Sequence, residues 1–250
     1  MKTKRKARCR DSSGWQRIMA VGCSHGVYAE ERAVDAVIRF RAAFKPDVCI
    51  HLGDAFDVTA LRSGAKGTPD EGKPLKPDID GGIRFLRRLR PDVFFWGNHE
   101  DRIANLQYHH NAIVQMLAQE LNGNIAGVCT ELGADVVPYD GIYQGRHYGG
   151  VRYMHGCMYS ENAVRDHAET FGNVVFAHTH RAGMAVGRRS DHPRGLCVGT
   201  LTNIPCMDYA KCRRSTLGWS QGLVWGYFKG NQSQLWLHEN ARTGEWLLPG

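Results

Sequence analysis

Short apolar runs, each followed by polar turn residues, alternate with stretches of helical spacing along the first part of the chain. Runs 18–21, 48–52 and 93–96 have the length of buried strands, and Ala33, Val34, Val37, Ile38 and then Ile83, Leu86, Leu89 recur at helical intervals before Pro46 and Pro91. A β–α–β–α–β opening restricts the chain to an α/β architecture, because crossover helices make neighbouring strands parallel. The pattern then predicts a helix with Ile103, Leu106, Ile113, Leu117 and Leu121 on one face and Asn122-Gly123 as its stop. Beyond it, runs 136–137, 151–154, 174–177, 184–186, 196–198, 223–228 and 234–237 predict a strand-rich second half.

At 250 residues, with 42% hydrophobic and 23% charged side chains, the chain can bury a full core, which removes disordered, collagen-like and coiled-coil classes. The net charge of +7 is concentrated: Lys2, Lys4, Arg5, Lys6, Arg8 and Arg10 lie in the first ten residues, leaving 26 basic against 25 acidic side chains elsewhere. Residues 1–14 read as a basic leader, either solvated or in contact with an anionic partner such as nucleic acid, and 15–250 as a single domain. No run approaches the ~18 apolar residues of a membrane span, and none has a signal peptide's core, so a soluble, cytoplasmic protein is expected. Eight cysteines without a Cys-x-x-Cys pair read as reduced thiols, Cys49 and Cys197 among them as small core residues.

The chemistry sits where the strands end. Run 18–21 leads into Cys23-Ser24-His25, 48–52 into Gly53-Asp54-Ala55-Phe56-Asp57, 93–96 into Gly97-Asn98-His99-Glu100, 151–154 into His155-Gly156, and 174–177 into His178-Thr179-His180. Ligands of α/β sheets bind outside the carboxyl ends of the strands, so these five ends can converge. Cys23, His25, Asp54, Asn98, His155, His178 and His180 supply seven donors, too many for one tetrahedral zinc and suited to two ions sharing a carboxylate. Two such ions stabilise both the attacking and the leaving oxygen of a displacement at phosphorus.

In the order Cys-x-His, Gly-Asp-x-x-Asp, Gly-Asn-His-Glu, His-Gly, His-x-His, the chain resembles the calcineurin-like metallophosphoesterases over residues 16–205, and its flanking text is most similar to small phage and prophage members. The resemblance implies two mixed β-sheets packed as a sandwich and flanked by helices. It also implies a first metal held by residue 23, His25 and His180, a bridging Asp54, and a second metal held by Asn98, His155 and His178. His99 would face the phosphate as donor or general acid, with Asp57 orienting it. Two positions depart from the family: Cys23 stands where Asp is usual, and Ala177 replaces the Gly before His-x-His. A thiolate is softer than a carboxylate and would favour zinc or iron over magnesium, whereas a non-ligating Cys23 would leave the first site weak.

Further residues carry weaker signals. Asp57 supports a ligand or caps a helix, and Glu100 and Asp101 cap the helix that follows. Arg102 and Arg181 adjoin motif residues and offer either forked phosphate contacts or salt bridges. His109 and His110 read as exposed helix residues, His51 as a satisfied core histidine, and Trp219, Trp225 and Trp236 as core or base-stacking rings. Segment 61–81, with six glycines or prolines before Gly81, reads as a flap beside the site or a surface loop. The resulting expectation is hydrolysis of a phosphate monoester or diester, including nucleotide or nucleic-acid ends, by a hydroxide on two divalent ions (zinc, manganese or iron). Its rival is a catalytically weak scaffold or nucleic-acid-binding module on the same fold.

Overall fold

The computed structural model describes residues 14–62, 64–207, 216–240 and 245–249; nearly all of the basic leader, with Cys9, and Cys212 lie outside them. In chain order the elements are β1 (Gln16–Val21), α1 (Glu31–Phe44), β2 (Val48–His51), α2 (Leu75–Leu89), β3 (Val93–Phe95), α3 (Asn98–Leu106), α4 (Ala112–Leu132) and β4 (Asp135–Val137). They continue with β5 (Arg146–Tyr148), β6 (Val151–Tyr153), α5 (Ala163–Phe171), β7 (Val174–Phe176), β8 (Gly183–Val186), β9 (Arg194–Cys197), β10 (Gln221–Lys229) and β11 (Gln232–Asn240).

Two sheets form, ordered β11-β10-β1-β2-β3-β4 and β5-β6-β7-β9-β8. Both are mixed. β1 through β4 run parallel while β10 and β11 are antiparallel, and β6, β7 and β9 run parallel between antiparallel β5 and β8. The two-residue period of a strand sorts β1: Ile18 and Ala20 face the second sheet, where Val151, Tyr153, Val175 and Leu196 meet them, while Met19 and Val21 face α1. The expected α/β sandwich flanked by helices is therefore the fold. Helix α1 docks through Ala33, Val34, Val37 and Phe40, whose larger side chains each contribute about 1.5–3 kcal/mol on burial. Cys49 and Cys197 are fully buried, as expected of small core residues.

The helix expected from Ile103 onward is two helices. Residues 107–111 break it, and Asn111 caps α4 by accepting from Ile113 N and Val114 N. The break resets the helical phase, so Ile113 (68% exposed) and Leu117 (47%) face solvent while Ala118, Ile125 and Val128 are buried. Asn122 does not stop α4. Its side-chain N–H donates to Ala118 O and Ile103 O, and the stop comes at Gly133, in left-handed conformation (φ 67°), whose N–H bonds Cys129 O and Thr130 O. His109 and His110 fall in the break, stacked on each other, rather than on a helix. Segment 61–81 is no flap throughout: residues 75–81 are the first turns of α2, where Gly81 lies against Gly26 and Gly82 against Phe56.

Candidate metal centre

The loops leaving β1 and β2 run side by side, with Cys23 N donating to Gly53 O (2.9 Å), His25 N to Asp54 O (3.0 Å) and Gly26 N to Ala55 O (2.8 Å). Close approach requires glycine twice: a β-carbon on Gly53 would lie 2.6 Å from Gly97 N, and one on Gly97 would lie 2.1 Å from Asp54 Oδ1. Nine described non-glycine residues have positive φ, and five of them are Cys23, His25, Asp54, His178 and His180. Such backbone costs about 1–3 kcal/mol per residue and persists where the surroundings enforce it, commonly at functional sites.

These turns bring all seven candidate ligands together. Ligand atoms of Cys23, His25, Asp54 and His180 lie within 4.8 Å of one another, as do those of Asp54, His155 and His178, so Asp54 belongs to both groups. Its Oδ1 accepts from His99 N (3.0 Å), while Oδ2 lies 3.3 Å from His155 Nε2 and 3.9 Å from His25 Nε2. Asn98, the first residue of α3, places Oδ1 2.9 Å from His178 Nδ1 and 3.1 Å from His155 Nε2.

The donor chemistry fits cations. His155 Nδ1 lies 2.7 Å from Leu52 O, a carbonyl that only accepts, so Nδ1 carries a proton. Nε2 is turned to Asn98 Oδ1 and Asp54 Oδ2, whose charge holds the ring above its ordinary value against the effect of burial, and a cation bound there would take the place of an Nε2 proton. His25 repeats the arrangement, with Nδ1 on Asp57 Oδ1 (2.9 Å) and Nε2 aimed at His180 Nε2 (2.9 Å). His180 Nδ1 is buried without a hydrogen-bond partner. Converging lone pairs with outward N–H groups held by carboxylate or carbonyl are the arrangement of metal-ligating histidines. Four buried carboxylates, Asp54, Asp57, Asp78 and Glu100, are accompanied by no buried Lys or Arg among the described residues.

Two of those carboxylates were not visible as site residues in the sequence. Glu100 caps α3 by accepting from Gly97 N (2.7 Å), and it also accepts from Asp54 N (2.9 Å), Ala55 N (2.7 Å) and Phe56 N (3.2 Å). It thus holds the Asp54 loop, a task its helix-capping signal does not disclose. Asp78, in the first turns of α2, accepts from Val27 N (3.2 Å), Asp57 N (3.0 Å) and Val58 N (2.7 Å), tying the loops of His25 and Asp57 together. On the other side, Gln144 accepts from His155 N (2.8 Å) and donates to Trp96 O (2.7 Å), joining the ends of the two sheets. Trp219 sets its ring 4.3 Å from that of His180.

Electrostatics follow from burial and charge. Burial, with the Asp54 charge, pushes the Cys23 thiol well up, so without a cation it is protonated; its Sγ accepts from His178 N (3.3 Å). Burial and the Asp54 charge push Glu100 up to about 7, and burial raises Asp78. Against the effect of burial, Asp57 holds His25 above its ordinary value. Burial, assisted by the neighbouring His25 and Arg102 charges, takes His99 down to about 4.

Asp57 caps no helix; it receives His25 and the Thr59 hydroxyl. His99 Nδ1 lies 2.5 Å from Asp57 O and therefore bears the proton, with Nε2 3.8 Å from Asp54 Oδ2. Arg102 Nη1 lies 3.3 Å from His99 Nδ1, whereas Arg181 is turned to Tyr159 O (3.2 Å) and Ser160 O (2.5 Å). His51 is buried and satisfied by Gly53 N and Ser24 Oγ. Ala177 is fully buried with ordinary φ, and Gly22 makes room for it, since a β-carbon there would lie 2.7 Å from Ala177 Cβ.

No family model matches the chain. Over 229 residues it is 27% identical to the Gene 54 protein of Mycobacterium phage L5, covering 84% of this chain and 88% of that one. It is likewise 27% identical over 229 residues to the Gene 54 protein of Mycobacterium phage D29, covering 83% and 87%. A solved structure described as a novel archaeal phosphodiesterase aligns over 90% of this chain and 99% of its own, with 11% identity and a TM-score of 0.38. No helix among the described residues is long and apolar enough to cross a membrane.

Proposed function

We propose that the chain is a calcineurin-like metallophosphoesterase that hydrolyses a phosphate monoester or diester at two divalent ions, zinc, manganese or iron. The observation that carries this reading is Asp54 Oδ2, which lies 3.3 Å from His155 Nε2 of one ligand group and 3.9 Å from His25 Nε2 of the other. Cys23, His25, Asp54 and His180 would hold one ion; Asp54, Asn98, His155 and His178 would hold the other. Two ions in such a site, when bound, supply activated water and neutralise charge developing at phosphorus.

The chain's own residues do the rest. Asp57 accepts the His25 Nδ1 proton and so presents Nε2 as a ligand of raised basicity. His99 is anchored through Nδ1–H to Asp57 O, which leaves Nε2 toward the substrate. A phosphate brings negative charge beside a ring held neutral by burial, and that charge favours the imidazolium form that donates to the leaving oxygen. Arg102, 3.3 Å from His99 Nδ1, would meet a phosphate oxygen, while Arg181 is engaged by carbonyls. The cations of the leader extend the same proposal to nucleic acid in a cytoplasmic setting.

The test is a panel of monoesters and diesters assayed with manganese, zinc or iron beside a metal count. Hydrolysis that rises with occupancy to two ions per chain is the expected result. Full occupancy without turnover of any ester, or no metal uptake, would overturn the reading.

A further inference from the structure

The hydrogen bonds of Asp57 continue outward, away from the candidate ligands. Its Oδ1 takes the His25 Nδ1 proton (2.9 Å), and its Oδ2 receives the hydroxyl of Thr59, which opens a single helical turn (Thr59–Leu61). Thr59 Oγ1 lies 3.4 Å from the Tyr28 hydroxyl, and Lys73 Nζ lies 3.0 Å from that same oxygen. Asp57 and Thr59 are buried, Tyr28 is half-buried, and Lys73 reaches the surface, where it pairs with Asp70 (2.9 Å). The links come from three stretches of chain: Tyr28 from the segment after β1, Thr59 from that after β2, and Lys73 from the loop leading into α2.

Proton counting fixes the direction of this chain. A carboxylate only accepts, an ammonium only donates, and each hydroxyl has one proton. The Thr59 proton goes to Asp57, so Thr59 accepts from Tyr28; the Tyr28 proton goes to Thr59, so Tyr28 accepts from Lys73. Every bond from Lys73 to Asp57 therefore points the same way, from a cation toward the carboxylate that holds His25, and bonds aligned in this manner polarise one another.

We infer that Thr59, backed by Tyr28 and Lys73, is a positioning residue for the ion that Cys23, His25, Asp54 and His180 would hold, an inference that rests on the metal centre of the proposed phosphoesterase. With both oxygens engaged, the Asp57 carboxylate is held against rotation, which keeps His25 Nδ1–H on Oδ1 and Nε2 turned to His180 Nε2 (2.9 Å). Removing such a partner of a ligating histidine typically costs about 10–100-fold in metal affinity. The ion of Asn98, His155 and His178 has a separate support, since His155 Nδ1 is held by Leu52 O (2.7 Å), so the effect falls on one ion of the two.

Zinc titrated into the metal-free full chain, by calorimetry against a competing chelator, tests this without any substrate. Thr59→Val keeps the side chain's shape and removes its hydroxyl; one ion should then bind about tenfold or more weakly and the other within about threefold of wild type. Thr59→Ser, which returns the hydroxyl, should restore the weakened ion to within about threefold, and Tyr28→Phe, one link further out, should weaken that same ion by about twofold or more. Circular dichroism verifies folding, and if Thr59→Val does not fold, Tyr28→Phe takes its place. Unchanged affinity, equal weakening of both ions, or no recovery with serine would overturn the inference. Wild type that takes up no zinc would overturn it together with the metal centre. Two ions that respond as expected in a protein that hydrolyses no ester would strike the phosphoesterase reading alone.

Discussion

Around Asp54 and Asp57, seven loop amides end on the carboxylates of Glu100 and Asp78, whereas the loops of His155, His178 and His180 are held by neutral partners. There, Gln144 receives His155 N, Thr179 Oγ1 meets Cys197 Sγ, and His180 O receives Ser220 N. Hydrogen bonds to carboxylates are about twice as strong as neutral ones, but a buried carboxylate also carries a desolvation cost. The half of the site on the six-stranded sheet is therefore held by charged acceptors, whose desolvation cost a bound cation would offset. The half on the five-stranded sheet is held by bonds largely indifferent to one.

That contrast can be broken by removing one clamp on each side. Glu100→Gln should lower the stability of the metal-free protein by about 2–3 kcal/mol, the scale of hydrogen bonds to charged groups, and Gln144→Ala by about 1–2 kcal/mol; denaturant unfolding checks both. Equal losses would erase the difference. The sign with pH sharpens it. Since Glu100 is pushed up to about 7, between its ordinary value and that pH the folded state holds more protons than the unfolded one, so this contribution falls as pH rises through the window. Glu100→Gln should flatten that slope relative to wild type, and Gln144→Ala should not.

His99 belongs to the charged half, where it forms a third group of mutually close donor atoms with His25 and Asp57, and its proposed task is at the leaving oxygen rather than as a ligand. His99→Ala is expected to cut turnover by about 10²–10⁴-fold with metal content intact, as for a general acid–base group. Metal loss in that variant would move His99 into the ligand set.

Cys23 is the seam, leaving β1 on one sheet and accepting from His178 N of the other. If it ligates, Cys23→Asp should keep activity and shift preference toward manganese or magnesium, and Cys23→Ser should bind metal less well. If it is only a core thiol, serine should be the milder change, because an unpaired buried carboxylate is costly. Metal content and rate across a metal series rank the two.

The smallest effect on chemistry is expected outside both halves. Deleting residues 1–12 should leave hydrolysis of a small ester unchanged and flatten the salt dependence of nucleic-acid binding, since six phosphate-neutralising cations are lost. Equal slopes would make the leader a solvated segment.

The α/β opening, the strand-rich second half and the donors at five strand ends were legible because strand runs and metal-binding residue types need only local text, whereas the sandwich itself came from the family resemblance. The clamps were not: Asp78 looks like an ordinary acidic residue at a helix start, and nothing near Gln144 reveals His155 as its partner. The break between α3 and α4 escaped for a related reason, since helical spacing continued across it while Asn111 supplied a new cap. Trp219 read as one more ring of the C-terminal strands until folding set it on His180.

Asp54 carries the central claim, that one carboxylate oxygen serves both ligand groups. Counting ions in purified wild type and Asp54→Ala by plasma mass spectrometry, with circular dichroism to verify folding, tests it directly. Two ions per chain in wild type and loss of both in the variant is the expected result. A folded variant that keeps both ions, or loses only one, would contradict a shared bridge.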